Sequence, residues 1–222
     1  MNKMPLSQGN KAYKEIKSMI LDGRLKPSAS YLETELADQI RVSRTPVREA
    51  ALRLEREGLV IVPPRRGMQV VPVSTDDMAE IYQLLTVLEP LAAELAAKRN
   101  LSESEIEPME RATQEMEDAL AEGDLVTWAE ADDAFHALLV EASGNRRLVE
   151  ATERYRAQVH RARMTTLTMR PSPSSSTKDH RSLLQCLRNG DAEGAGEIHR
   201  AHRAAAGKLL VALLAKHSLD NL

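Results

Sequence analysis

The sequence predicts a mostly α-helical protein in two parts, a winged helix-turn-helix over residues 1–73 and an all-α bundle of six helices over residues 74–222. Three observations lead there. Leu, Ala, Glu and Arg are abundant while aromatics make up only 3%, a composition that favours helices. Convincing β-branched strand patterns are confined to residues 59–73. Charge divides at the same place: residues 1–73 hold 13 Lys and Arg against 8 Asp and Glu, and the remainder holds 17 against 25, within a net charge of −3. A basic first third on an acidic remainder expects a polyanionic partner for the first part only.

In chain order, residues 9–22 read as a helix with Ala12, Ile16, Met19 and Ile20 on one face, ended by Gly23 and a turn at Arg24-Leu25-Lys26-Pro27. A short helix over 32–39 carries Leu32, Leu36 and Ile40 on one side, and Arg41-Val42 links it to the next. That next helix opens at Ser43-Arg44-Thr45-Pro46-Val47-Arg48. Val47, Ala50, Ala51 and Leu54 form its buried stripe, Arg44 and Arg48 share another face, Ser43 is the expected N-cap, and Gly58 is the stop. Two short helices on a tight turn are the helix-turn-helix pattern, whose second helix reads DNA. Leu59–Val62 and Met68–Val73 then read as a hairpin around Pro63-Pro64-Arg65-Arg66-Gly67, a basic tip suited to a minor groove.

Beyond Ser74 the pattern is helical throughout, with helices expected over 75–98, 103–122, 126–142, 145–169, 177–189 and 191–216 and a frayed tail over 218–222. A hydrophobic content of 42% supports a real core and argues against global disorder. The single cysteine, Cys186, allows no intramolecular disulfide and reads as a small apolar helix residue. The N-terminus lacks the apolar core of a secretory signal, and no apolar run is long enough to span a bilayer. These features lead to the expectation of a soluble cytoplasmic protein.

The order helix, helix, Val42-Ser43-Arg44-Thr45-Pro46-Val47-Arg48-Glu49-Ala50, then Leu54-Glu55, Gly58-Leu59-Val60 and Arg65-Arg66-Gly67 resembles the winged helix of GntR-type bacterial transcription regulators over residues 9–73. The resemblance implies operator contact through Arg44 and Arg48, flanked by Ser43 and Thr45, and a wing tip at Arg65, Arg66 and Gly67 in the minor groove. The sequence departs from that pattern at Ser28 and Arg41, where glycine is usual, at Ala51 for Leu, and at Thr34, where some relatives carry arginine.

Residues 75–216 resemble the effector-binding domain of the FadR branch, often labelled FCD, in its six-helix form. The residues that carry this are Leu88-Glu89, Ala92-Ala93, Ala96-Ala97, Phe135-His136, Ala142-Ser143-Gly144-Asn145, Asp179-His180 and Gly190-Asp191-Ala192. Asp132 and His136 lie four apart on one helix, with His180 and His202 on the last two helices. One carboxylate and three imidazoles converging between helices would make a divalent-metal site, although spacing alone does not separate this from ordinary surface or core histidines. The resemblance implies these four as ligands, for zinc ahead of nickel or manganese. Asp133 ranks behind Asp132, and His160, His199 and His217 read as surface or supporting residues. Leu85 stands where relatives often carry an arginine, which leaves that edge of the pocket more apolar.

The combined reading is a homodimeric repressor that binds double-stranded operator DNA. The resemblance implies that a small organic acid at or near the metal controls it and that the bundle dimerises through its first and fourth helices. No catalytic residues are assigned: neither an HExxH helix nor a nucleophile with a partner is found. Two rival readings remain at this point, a metal-dependent hydrolase or lyase with a DNA-binding appendage, and a DNA-binding module whose bundle only dimerises.

Overall fold

The computed structural model describes residues 7–64 and 66–217. They divide into two compact units, one closing at Ser74 and the other opening at Thr75. The expected tail at 218–222 and the wing residue Arg65 lie outside the described residues.

The first unit contains α1 (Gln8–Leu21), β1 (Ser30–Tyr31), α2 (Glu33–Ile40), α3 (Arg44–Arg56), β2 (Val60–Ile61) and β3 (Met68–Val70). Helix α1 forms because Ala12, Tyr13, Ile16, Met19 and Ile20 recur at helical spacing and bury together, with Ser7 accepting from the Asn10 backbone N–H as cap. It packs on α3, whose Val47, Ala50, Ala51 and Leu54 are buried. Beside that contact, Tyr13 donates to Glu57 Oε1 at 2.7 Å, Lys17 reaches Glu57 Oε2 at 2.8 Å, and the Arg53 guanidinium lies over the Tyr13 ring. This buried network fixes the far end of α3 against α1 while its N-terminal turn stays exposed.

Two details differ from the sequence reading. Strand β1 joins the hairpin, so the sheet has three strands in the order β1-β3-β2, with Tyr31 opposite Met68 and Val60 opposite Val70. A two-residue strand is too short for an alternation pattern, so only the pairing reveals it. Ser43 occupies the cap position of α3, but its side chain makes no capping bond. The third helical position is Pro46, which has no N–H to offer, so one of the two usual cap donors is missing.

The second unit is six helices: α4 (Thr75–Lys98), α5 (Glu103–Glu122), α6 (Leu125–Ala142), α7 (Arg146–Thr166), α8 (Ser174–Asn189) and α9 (Ala192–Lys216). Helix α7 gives way to a 3-10 turn over Leu167–Met169, and α8 starts at Ser174, three residues before the expected 177, with Pro173 at its cap position. Helix α4 lies along α9, brought close by Gly207, where a Cβ would press into the Tyr82 side chain. The core is built on Trp128 and Phe135 of α6, Ile106, Met109 and Met116 of α5, and Leu183, Leu184 and Leu187 of α8. Truncating one of these large side chains to alanine costs about 2–5 kcal/mol. Among the described residues no helix is long and apolar enough to cross a membrane.

Candidate metal centre and nucleic-acid interface

Helix α6 is buried along the face that carries Trp128, Asp132, Phe135 and His136. Two polar residues on an apolar face must find partners inside the protein. They find them on α8 and α9: His180 Nε2 lies 3.0 Å from Asp132 Oδ1, and His202 Nε2 lies 3.3 Å from His136 Nε2. His136 Nε2 is 3.5 Å from Asp132 Oδ2. All four residues are buried, and one donor atom from each lies within 4.8 Å of the others. The Phe135 ring stacks on His180 at 4.2 Å between centroids and 6° between planes, which fixes that imidazole's orientation.

Hydrogen-bond partners set the tautomers. His136 turns its Nδ1 toward Glu89 Oε2 at 3.2 Å, and His202 turns its Nδ1 toward Asp179 Oδ2 at 3.3 Å. A carboxylate only accepts, so His202 Nδ1 suits a proton, while His136 has a carboxylate on both sides, Glu89 at Nδ1 and Asp132 at Nε2. Burial, with nearby Arg203, holds the His136 imidazole well below its ordinary range, and burial leads in pushing His202 down to about 3, so both are neutral at pH 7. Burial alone would raise the Asp132 carboxyl, but Arg163 and His136 outweigh it and keep it well below the usual carboxylate range. The result is neutral imidazoles and one ionised carboxylate whose donor atoms converge within 4.8 Å.

Behind these residues stands a layer that the sequence reading did not assign. Glu89 of α4 accepts from Arg203 Nε at 2.7 Å and faces His199 Nε2 at 2.9 Å. The second Arg203 nitrogen engages the other oxygen, so the pairing is bidentate. Burial opposes ionisation of Glu89, yet Arg203 and His136 hold its carboxyl well below normal. His199, expected at the surface or in support, is 1% exposed and in the supporting layer. Glu89, His136 and His199 could also hold an ion by donor type, but Arg203 already supplies the cation there. Asp133 instead pairs with Arg156 at 3.4 Å, and His217 is exposed. The sequence signal for Glu89 was its place in the apolar stripe of α4 with Ala93, Ala96 and Ala97, where an unpaired charge is not tolerated.

Two spaces adjoin the cluster. A cleft of about 30 Å³ reaches His136 where it faces Glu89 and Arg203, and Leu85 is part of its wall. A chamber of about 20 Å³ reaches Asp132 and His202.

In the first unit, Ser43, Arg44, Thr45 and Arg48 are all exposed at the front of α3, and Arg66 is exposed beyond the wing turn. Arg44 is paired with Glu33 of α2 at 3.3 Å. Arg44, Arg48, Pro63, Pro64 and Gly67 line one groove of about 540 Å³. Gly67 has φ +75°, and a Cβ there would overlap the Tyr31 carbonyl, so this glycine holds the wing against β1.

Comparison with known proteins agrees with both halves. Residues 8–70 match the model described as "Bacterial regulatory proteins, gntR family", and residues 80–205 match the FCD domain. The uncharacterized HTH-type transcriptional regulator YdhC of Bacillus subtilis is 32% identical, over 86% of this chain and 85% of its own. The HTH-type transcriptional repressor RspR of Escherichia coli is 27% identical, over 81% of this chain and 79% of its own. Among solved structures, McbR/YncC of E. coli superposes with a TM-score of 0.78 at 24% identity, over 96% of this chain and all of the other, which supports the fold. These relatives are regulators, not enzymes, which disfavours the hydrolase or lyase reading. The chain belongs to the GntR family of bacterial transcription regulators, with an FCD domain as its second unit.

Proposed function

We propose that the protein is a homodimeric repressor whose affinity for double-stranded operator DNA is set by a small carboxylate bound at or near a divalent metal in the FCD unit. The observation that carries this is one buried cluster of a carboxylate and three imidazoles, Asp132, His136, His180 and His202, with one donor atom from each within 4.8 Å of the others. Two donors bound at about 2.1 Å to one ion stand roughly 3.0–3.5 Å apart in octahedral or tetrahedral arrangements. The separations of 3.0, 3.3 and 3.5 Å fall in that range.

Asp132, His136, His180 and His202 would hold the ion, with zinc ahead of nickel or manganese as an N/O donor set of this kind allows. Bound there, the metal supplies a Lewis-acidic position for an effector oxygen. Glu89 and Asp179 orient His136 and His202, and Arg163 neutralises the outer oxygen of Asp132. On the DNA side, Arg44 and Arg48 suit base edges or phosphates, with Ser43 and Thr45 beside them and Arg65, Arg66 and Gly67 forming the wing tip. The effector acts by binding one arrangement of the two DNA-binding heads more tightly than another.

The test is metal analysis of untagged protein after metal-replete growth, followed by gel shifts on the promoter of its own operon with chelator or added organic acids. The expected result is one metal per chain, lost in His136→Ala, and operator release by an acid only in metal-loaded protein. Substoichiometric metal, or full metal in His136→Ala, sinks the metal reading. Operator binding that no acid alters sinks the effector reading.

A further inference from the structure

We propose that Glu33 is a specificity-determining residue of the DNA-reading surface: it directs Arg44 to a guanine and itself takes the amino group of a cytosine on the adjacent base pair. The inference rests on the operator reading above and names the bases that one corner of that surface selects.

Glu33 is the first residue of α2, and Arg44 is the first residue of α3. The packing of the two helices lets Arg44 Nη2 donate to Glu33 Oε2 at 3.3 Å. Both side chains line the groove that also holds Thr34, Arg48 and Gly67. A carboxylate on a surface that meets phosphates is repelled by them, so its presence there needs a reason. Helix stability does not supply one. The N-terminus of α2 already has an acid in Glu35, which accepts from the Leu32 N–H at 3.2 Å. Nor does the ion pair stabilise the fold, because the Arg44 side chain is 68% exposed and such pairs contribute little.

What the pair does supply is direction. Glu33 engages one edge of the guanidinium, which leaves Arg44 less free for a phosphate and presents its other N–H groups to a base. Guanine is the base that offers two acceptors, O6 and N7, to an arginine. Glu33 itself is half-buried, and the exposed Leu32 and Leu52 line the same groove. DNA seated there shuts water away from a carboxylate whose one partner among the described residues is Arg44. The second oxygen, Oε1, then requires a donor from the duplex.

A carboxylate accepts and does not donate. In the major groove cytosine presents the N4 donor and no acceptor. Adenine sets its N6 donor beside the acceptor N7, and guanine and thymine present acceptors that a carboxylate repels. Cytosine is the base that satisfies Glu33. The separation of 3.3 Å between the two side chains is close to one base step, about 3.4 Å, so the cytosine lies next to the pair read by Arg44.

The experiment is selection from a randomised duplex pool by the full chain, for wild type, Arg44→Ala, Glu33→Gln and Glu33→Ala. Fluorescence anisotropy then follows each protein on the selected duplex, on its single base-pair replacements and on a scrambled duplex, with thermal melts alongside. Arg44→Ala should lose one guanine. Wild type should prefer cytosine at the adjacent pair by about tenfold. Glu33→Ala should lose that preference and bind the scrambled duplex more tightly. Its salt dependence should steepen by up to about 1 as Arg44 is released to a phosphate, a change that a purely structural role does not produce. Glu33→Gln should shift the position toward adenine, whose N6 and N7 match an amide.

A wild-type chain that enriches no sequence overturns the operator reading and this inference together. A cytosine preference that survives Glu33→Ala overturns this inference alone, as does an equal loss of affinity on selected and scrambled duplexes. If Glu33→Ala melts below the assay temperature, Glu33→Gln decides, and an unchanged preference for cytosine over adenine overturns the proposal.

Discussion

His136 and His202 approach each other Nε2 to Nε2 at 3.3 Å, while each ring's Nδ1 faces a carboxylate. The arrangement is stable only while both rings stay neutral, which ties the bundle's stability to pH. Unfolded histidine titrates near 6.5, whereas His202 in the folded state titrates at about 3, and His136 and His199 are also lowered, burial being the largest cause for each. Between those limits the unfolded chain binds more protons, so stability is full above about pH 6.5 and falls as pH drops below it. For metal-stripped protein, urea midpoints measured from pH 7.5 to 5 should decline, by about 1.4 kcal/mol per pH unit for each histidine involved. A flat profile over that range contradicts the neutral-cluster description. Metal should raise the melting temperature and sharpen the acid dependence, because protons and metal compete for the same nitrogens.

Glu89→Gln should be among the most damaging single changes in the second unit. It leaves Arg203 buried without its bidentate partner, a class of change that costs about 3–5 kcal/mol. It also removes the negative charge 3.2 Å from His136 Nδ1, which should weaken metal binding about 10- to 100-fold. Denaturant melts and metal competition titrations separate the two effects. Adding Arg203→Met to Glu89→Gln should recover stability but not metal affinity. If it recovers both, Glu89 serves packing alone.

Much of this was legible in the sequence because the informative residues sit on single helices. Asp132 and His136 share a face by spacing alone, and the buried stripe Val47, Ala50, Ala51, Leu54 is read directly from period 3.6. The supporting layer was not legible from spacing, since Glu89 on α4 and Arg203 on α9 are joined only by how those helices pack. Strand β1 escaped for the same reason: two residues become a strand only when Met68 and Gln69 lie beside them. The start of α8 was misplaced because a serine run offers several plausible caps, while the chain uses Pro173 at that position.

The groove between α3 and the wing predicts how DNA binding should respond to salt. Arg48 is exposed and unpaired among the described residues, and Arg44 can leave an exposed pairing with Glu33 worth at most about 1 kcal/mol. Replacing either arginine with alanine should weaken operator binding. If the contact is to a phosphate, the slope of log affinity against log salt should shrink by about 1 and all sequences should suffer equally. If it is to a base edge, specificity should fall by about 1–3 kcal/mol at one position. Fluorescence anisotropy on operator and scrambled duplexes distinguishes these. Unchanged binding in both variants removes α3 as the reading helix.

Two backbone positions should allow the first unit to be stabilised without touching its apolar core. Ser28 and Arg41 adopt φ of +61° and +55°, the left-handed region that side chains with a Cβ enter at a cost of about 1–2 kcal/mol. Each is held there by hydrogen bonds it cannot forgo. The Ser28 N–H donates to the Val70 carbonyl at 2.9 Å, and the Arg41 N–H closes the end of α2 on Ala37 and Asp38. Glycine satisfies the same bonds without the Cβ clash, against roughly 0.5–1 kcal/mol of extra freedom in the unfolded chain. Ser28→Gly and Arg41→Gly should therefore each stabilise the unit by about 0.5–1 kcal/mol, a rise of a few degrees in its melting temperature. Gly67→Ala, at φ +75° and against the Tyr31 carbonyl, should move the other way and loosen the wing. Arg41→Gly also deletes a positive charge one turn from α3, so anisotropy on DNA should accompany the melts. A gain in stability with weaker DNA binding would mean that the arginine is retained at this strained position for its charge.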